Sequence, residues 1–304
     1  MALIAGPTAS GKSDLAVDLA LALEAAGRTA VVINADSAQV YADLRVLSAR
    51  PDEVAMRGVP HALFGAWDGA QPCSAADWAA AATHAIDAAH EAGSVPILVG
   101  GTGLYLKVLL EGIAAIPEID PATRKAVRAL PTQAAYAALQ AEDPDRAARI
   151  APADSQRIAR ALEVVRATGR TLADWQCHKT GGIAERIVLH PLVLTPDRER
   201  LYQRCDTRFV RMIEGGALAE VEELLSRELD PALPVMRAIG VPELAGHLRE
   251  RWSIEEAVKM GQQATRNYAK RQYTWLRHQP PQEWNRVAPE NVVIRSQFET
   301  LFPD

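Results

Sequence analysis

Hydrophobic and polar positions follow two different periods along the first hundred residues. "ALIA" (2–5), "TAVVIN" (29–34) and "VPILVG" (95–100) are short apolar runs bounded by glycine or acid. Such runs fit strands buried on both faces. Between them, Leu15, Leu19 and Leu23, with Ala16 and Ala20, recur at helical spacing up to Gly27, and an alanine-rich stretch predicts a helix over roughly residues 74–92. Strand and helix in alternation predict βαβ units and a parallel sheet covered by helices.

After about Gly112 the pattern changes. "IPEIDP", "LPTQ", "EDPD" and "APADS" punctuate short helical runs until "RIVLHPLVL" (186–194) restores a buried strand. The pattern therefore predicts an α/β core, residues 1–114 and 187–304, with a small all-helical domain inserted at 115–186. Within the insertion, Asp154 or Ser155 can cap a helix over 155–168. Ile158, Leu162 and Val165 form its buried stripe, Gly169 stops it, and Arg157 and Arg160 lie off the stripe. The chain after 194 reads as mainly helical, apart from a proline-rich stretch near 231–242.

Composition narrows the class. At 304 residues, 48% hydrophobic and 23% charged, the chain has the usage of a soluble globular protein. No apolar run approaches membrane-spanning length and the start lacks a leader-like pattern, so a cytoplasmic protein without a membrane partner is expected. Cys73, Cys177 and Cys205 are scattered and odd in number, which speaks against a disulfide framework or a zinc module. The net charge of −5 argues weakly against nucleic acid, but local charge argues the other way. Between Pro121 and Arg170 nine bases face five acids, and from Lys259 to Arg277 five bases occur with no acid. Affinity for nucleic acid follows local basic surface.

The chemistry begins at "GPTASGKS". Gly6, Gly11, Lys12 and Ser13 satisfy G-x-x-x-x-G-K-[ST], between a strand and a helix. Glycines let backbone N–H groups converge on an anion, Lys12 adds a charge, and the Ser13 hydroxyl can ligate Mg²⁺. The loop indicates a polyphosphate without choosing a nucleotide. "ADSAQVY" (35–41) and "GGTGLY" (100–105) follow the next two strands, where open parallel sheets bind ligands. The strand "VPILV" runs into Gly100–Gly101 and offers no Walker-B acid, so Asp36 is the carboxylate at a strand end near the loop. Three roles suit it: a Mg²⁺ ligand, an N-cap for a following helix, or a general base beside a diphosphate.

Farther along, Arg200, Arg204, Arg208 and Arg211 recur at helical spacing opposite Leu201, Cys205, Phe209 and Met212. One of these arginines could neutralise a leaving diphosphate, and the others could form a solvated face. "ATRNYAKRQYTWLRH" (264–278) mixes bases with Tyr268, Tyr273 and Trp275, a combination that suits looped RNA, although the aromatic rings could equally pack on the core. His61, His178 and His278 are isolated and receive no role.

Taken in order, "GPTASGKS", "DSAQVY", "VPILVGGTGLYL", "IPEIDPATR", "DSQRIARALEV", "RFVRMIEGGALAEVEELL" and "KRQYTWLR" resemble the tRNA dimethylallyltransferases, bacterial type, over nearly the whole chain. The resemblance implies a P-loop-type parallel sheet and a helical insertion that contacts tRNA. It also implies transfer of a dimethylallyl group from dimethylallyl diphosphate to N6 of the adenosine 3′-adjacent to the anticodon, by a monomer using Mg²⁺. In such an enzyme Gly6, Pro7, Thr8, Ala9, Ser10, Gly11, Lys12 and Ser13 would cradle the diphosphate. Ser13 would hold Mg²⁺ and Thr8 would lie near the bridging oxygen. Asp36 would be the base and Arg208 would assist departure of the diphosphate.

By the same resemblance, Asp36, Ser37, Ala38, Gln39 and Thr102 would meet the anticodon stem-loop, with Arg124 and Arg237. So would Gln156, Arg157, Ile158, Ala159 and Arg160, and the run Lys270, Arg271, Gln272, Tyr273, Thr274, Trp275, Leu276 and Arg277. The family often has R-x-V-G-Y-R-Q where this chain reads "RAIGVPEL" (237–244), so Val241 and Pro242 remove one phosphate contact. Ala62 follows His61 where a second histidine is common. Two other readings stay open: a prenyltransferase acting on free adenine nucleotides, and a P-loop nucleotide-dependent RNA-binding protein or kinase.

Overall fold

The computed structural model describes residues 1–303. Its strands are β1 (Ala2–Ala5), β2 (Ala30–Ala35), β3 (His61–Ala62), β4 (Val95–Gly100), β5 (Ile113–Ala114), β6 (Lys179–Thr180), β7 (His190–Leu194) and β8 (Asn285–Val287). Six of them form one sheet in the order β3-β2-β4-β1-β7-β8, parallel throughout. The apolar runs form the centre of this sheet because both faces are covered. Every residue of β1 and β4 is buried, and Ile4, Val32, Ile97 and Val99 pack with Leu19 and Leu23 of the Lys12–Ala25 helix. The expected P-loop-type α/β architecture is the one observed.

Three details differ from the sequence reading. The apolar run 186–194 is a strand only over His190–Leu194, and Ala184–Arg186 coils as a 3₁₀ turn. β3 and β8 were not anticipated. With two and three residues they show no alternation and exist through pairing with β2 and β7. The segment read as all-helical also holds a short antiparallel pair, β5 with β6, whose two-residue strands are equally invisible as a pattern.

The chain divides into two compact units. One comprises Met1–Leu109 and the chain from Ala184 onward; the other is Leu110–Ile183, wider than the expected 115–186 at one end and shorter at the other. The second unit has its own core, in which Leu139, Ile158, Ala161 and Leu162 are fully buried. Its Ser155–Thr168 helix starts at Asp154, whose side chain accepts the Arg157 N–H, and stops at Gly169 in the left-handed conformation.

Two helices of the first unit matter for the site. Arg198–Glu214 begins at Asp197, whose carboxylate accepts the N–H groups of Glu199 and Arg200. Ile254–His278 begins at a capping box of Ser253 with Glu256. They pack so closely that a Cβ on Gly261 would lie 2.0 Å from Cζ of Phe209.

The sheet delivers its loops side by side. In register, Ala35 is beside Gly100, Gly100 beside Ala5, and Ala5 beside Val193. Gly6, Asp36 and Gly101 therefore leave adjacent strand ends together. The crossing is tight: a Cβ on Gly100 would stand 2.1 Å from the Ala35 carbonyl oxygen, and one on Gly101 would stand 2.5 Å from the Gly6 oxygen.

Candidate functional site

The loop after β1 has the geometry of an anion cradle. Gly11 takes φ +88°, a left-handed turn open to glycine, and the helix starts at Lys12. The N–H groups of Ala9, Gly11, Lys12 and Ser13 donate to no group among the described residues. Free N–H groups at a helix start carry partial positive charge. Lys12 is buried beneath the loop, with Nζ 3.5 Å from the Pro7 oxygen and 3.8 Å from Oδ2 of Asp36. Burial pulls the Lys12 ammonium below the usual lysine range; Asp36 opposes that pull and Arg208 adds to it.

Asp36 is held from both sides. Its Oδ1 accepts the Ala38 N–H at 3.1 Å, and its own N–H donates to Oδ1 of Asn34 at 2.9 Å. Asn34 is buried, its carbonyl accepting the Trp78 indole N–H at 2.9 Å. Residues 37–40 make turns rather than a helix, so the N-cap role does not arise. Thr102 accepts the Ser37 N–H at 2.9 Å, which ties the loop after β4 to the loop after β2.

Of the four arginines on the Arg198–Glu214 helix, Arg208 turns toward the loop. It donates to Oγ1 of Thr8 at 3.3 Å and, at 3.5 Å, to the Ser48 carbonyl. Burial lowers its pKa, but a guanidinium stays protonated at neutral pH. Arg200, Arg204 and Arg211 are exposed, and with the loop and Arg208 they border an open cleft of about 1090 Å³.

On the other side of Arg208 lies a cavity of about 330 Å³. Thr8, Asp36 and Arg208 form its polar end. Leu44, Leu47, Phe209, Met212, Tyr105 and Tyr268 make up much of the remainder. Tyr105 stacks on Trp78 at 4.4 Å and donates to the Cys73 sulfur at 3.5 Å. Burial raises the pKa of the Tyr41, Tyr105 and Cys73 side chains, moves Cys205 up to about 11 and moves Tyr268 up to about 12. The tyrosine and cysteine side chains of the wall are thus neutral at physiological pH, and the charged residues on its border are Asp36 and Arg208 at one end, with Arg237 and Arg271 besides.

Several residues expected to meet RNA are in the interior instead. Ile158 and Leu276 are core residues at 0% and 2% exposure, because each falls on its helix's apolar stripe. Gln39 is buried and donates to the carbonyls of Ser48 and Ala49. Gln272 is buried and accepts the Thr8 N–H at 2.8 Å, so it belongs to the phosphate loop's support. Ser37, Ala38, Thr102, Ala159, Tyr273 and Trp275 are half-buried. Arg124, Gln156, Arg157, Arg160, Arg237, Lys270, Arg271, Thr274 and Arg277 are exposed, and Arg237 and Arg271 border the cavity.

The sequence pattern left Tyr41, Tyr105, Leu44 and Leu47 without a role, and Tyr268, a candidate for stacking on RNA or packing on the core, lines the cavity. Tyr41 and Tyr105 close the two motifs "ADSAQVY" and "GGTGLY", a signal that was available; the leucines look like any core residue. His61 is structural, its Nδ1 paired with the Val59 carbonyl at 2.7 Å. Among the described residues no cluster of three or more His, Cys, Asp or Glu could hold a metal, and no helix is long and apolar enough to cross a membrane.

An anion cradle after the first strand, a strand-end aspartate 3.8 Å from its lysine and a largely apolar cavity beside them define a P-loop-type α/β protein with one developed site among the described residues. The family described as IPP transferase matches residues 39–279, and that described as isopentenyl transferase matches residues 1–64. The chain belongs to the IPP transferase family. It is 65% identical to a tRNA dimethylallyltransferase of Erythrobacter litoralis, over 99% of this chain and 95% of that one. Among solved structures, the tRNA isopentenylpyrophosphate transferase of Bacillus halodurans matches with TM-score 0.69 and 31% identity, over 99% and 93% of the two chains. A eukaryotic dimethylallyltransferase solved acting on tRNA matches with TM-score 0.76 and 28% identity, over 91% and 69%.

Proposed function

We propose that the chain transfers a dimethylallyl group from dimethylallyl diphosphate to N6 of the adenosine 3′-adjacent to the anticodon in tRNA. The observation that carries this reading is the position of Asp36. Its carboxylate borders a cavity lined largely by apolar side chains and neutral tyrosines and lies 3.8 Å from the lysine of the phosphate loop. A base, an anion cradle and a hydrocarbon-compatible pocket are thereby contiguous. The names of the relatives support the same reading.

The adenine N6 lone pair is delocalised and makes a poor nucleophile until its proton has somewhere to go. In the proposed step, N6 attacks the allylic C1 and the N–C bond forms. The C1–O bond breaks, its electron pair leaves with the diphosphate, and Asp36 takes the N6 proton. Lys12, the free loop N–H groups and Arg208 accept the charge that develops on the diphosphate. The apolar and tyrosine walls leave few groups to hold a water that could intercept an allylic cation. Exposed bases on both units, including Arg124, Arg157, Lys270 and Arg277, suit the phosphates of the RNA. A base in a loop costs little to extrude from its stack.

The donor set fits Mg²⁺. Among the described residues the Ser13 hydroxyl makes no hydrogen bond, and it stands next to Lys12 at the loop's exit. One hydroxyl plus phosphate oxygens and water is the coordination Mg²⁺ accepts. Bound there, the ion would neutralise diphosphate charge.

The test is the mass of an anticodon stem-loop incubated with dimethylallyl diphosphate and Mg²⁺. A gain of one five-carbon prenyl unit is expected. Prenylation of AMP in preference to the stem-loop, or ATP turnover with no prenyl transfer, would replace this reading with one of its two rivals.

A further inference from the structure

We infer that Glu220, remote from the reacting atoms, is a positioning residue that sets the reaction cavity's wall and, through it, the aim of Arg208. The inference rests on the proposed prenyl transfer. Glu220 lies on the helix Ala217–Ser226, and its carboxylate accepts three consecutive backbone N–H groups. Oε1 takes those of Arg45 and Val46 at 2.6 and 2.8 Å, and Oε2 takes that of Leu47 at 2.8 Å. Three converging amides form an anion-binding concavity, and here a side chain of the same protein fills it.

What this concavity holds is the segment that walls the cavity. Residues 45–50 form one closed turn, with the Arg50 N–H on the Arg45 carbonyl at 2.9 Å and the Ala49 N–H on the Val46 carbonyl at 2.9 Å. Leu44, just before this turn, and Leu47 within it are buried in the cavity wall. Ser48 presents its carbonyl inward, where it accepts from Gln39 at 3.1 Å and from Arg208 at 3.5 Å. Arg208 in turn reaches Thr8 at 3.3 Å. The path from Glu220 to the phosphate loop is therefore contiguous: carboxylate, backbone turn, Ser48 carbonyl, guanidinium, Thr8 hydroxyl.

Nothing else in the structure offers those three N–H groups an acceptor among the described residues. Glu220→Gln keeps the shape but replaces one acceptor oxygen by an NH₂ that opposes a backbone N–H. The turn then loosens, and Arg208 loses one of its two partners. An arginine held less firmly acts on the developing charge of the leaving group, so the loss falls on kcat.

A double-mutant cycle between Glu220→Gln and Arg208→Ala separates aiming from plain stabilisation, with kcat and both KM values measured on the stem-loop. We expect Glu220→Gln alone to lower kcat about tenfold while the stem-loop KM stays within about twofold. In the Arg208→Ala background the same substitution should change kcat by less than about twofold. Wild-type kcat in Glu220→Gln, or losses that multiply in the double variant, would overturn the inference. Should Glu220→Gln fail to fold, judged by thermal melting, the cycle is run with Glu220→Asp, which keeps the charge but is one methylene shorter. Absence of transfer by the unsubstituted protein would condemn the proposed function instead; transfer with multiplicative losses condemns only the role of Glu220.

Discussion

At the scale of single residues, Asp36 and Gln272 separate chemistry from support. Asp36→Asn keeps the shape and the Ala38 contact but removes the base. It should lower kcat by about 10²–10⁴ while stem-loop affinity, read by gel shift, holds within a few-fold. Lost affinity with intact turnover of bound RNA would contradict the assignment. Gln272→Leu leaves the Thr8 N–H without an acceptor and frees the loop at the residue that meets Arg208. It should raise the KM for dimethylallyl diphosphate several-fold and leave stem-loop affinity unchanged, whereas Lys270→Ala should do the reverse. The phosphate loop was legible because its glycines, lysine and serine occur in a fixed pattern. The role of Gln272 was not, because it sits among Lys270, Arg271 and Arg277 and shares their polar character. Only its place on the buried side of the helix distinguishes it.

At the scale of elements, the site depends on how closely the Arg198–Glu214 helix approaches Ile254–His278. Gly261 permits that approach beneath Phe209, which also lines the cavity. Gly261→Ala should therefore cost about 1–3 kcal/mol in urea unfolding, although alanine is the better helix former. A neutral or stabilising result would mean that the Phe209 ring yields freely. The central strands were legible as apolar runs, and the Ser155–Thr168 helix was bounded by Asp154 and Gly169 as its sequence suggests. β3 and β8 were not legible, since edge strands of two or three residues are defined by the neighbour they pair with. The cavity wall was illegible for a related reason: Leu44 and Leu47 lie outside helices and strands, and the Glu220 contact that fixes their segment spans 173–175 positions of chain.

At the scale of the whole molecule, buried acidic hydrogens make stability depend on alkali. Cys205 rises from 9.0 to about 11 and Tyr268 from 10.0 to about 12, so the unfolded chain gives up these protons at lower pH than the folded one. Between about pH 9 and 12 the unfolded state binds fewer protons at these two groups, and their contribution to stability falls as pH rises. The urea midpoint should decline above about pH 9, with Cys205→Ala flattening the part between pH 9 and 11. A wild-type midpoint that stays level to pH 11 would show that these groups ionise normally in the fold. The glycine pair that ends β4 carries a different message. An aspartate grafted there, as a nucleotide hydrolase would need, must drive its Cβ into the backbone of β2 or into Gly6 and Gln272. No single substitution at Gly100 or Gly101 can retrofit this scaffold as an ATPase without prising the sheet apart, and directed evolution toward hydrolysis would have to begin elsewhere.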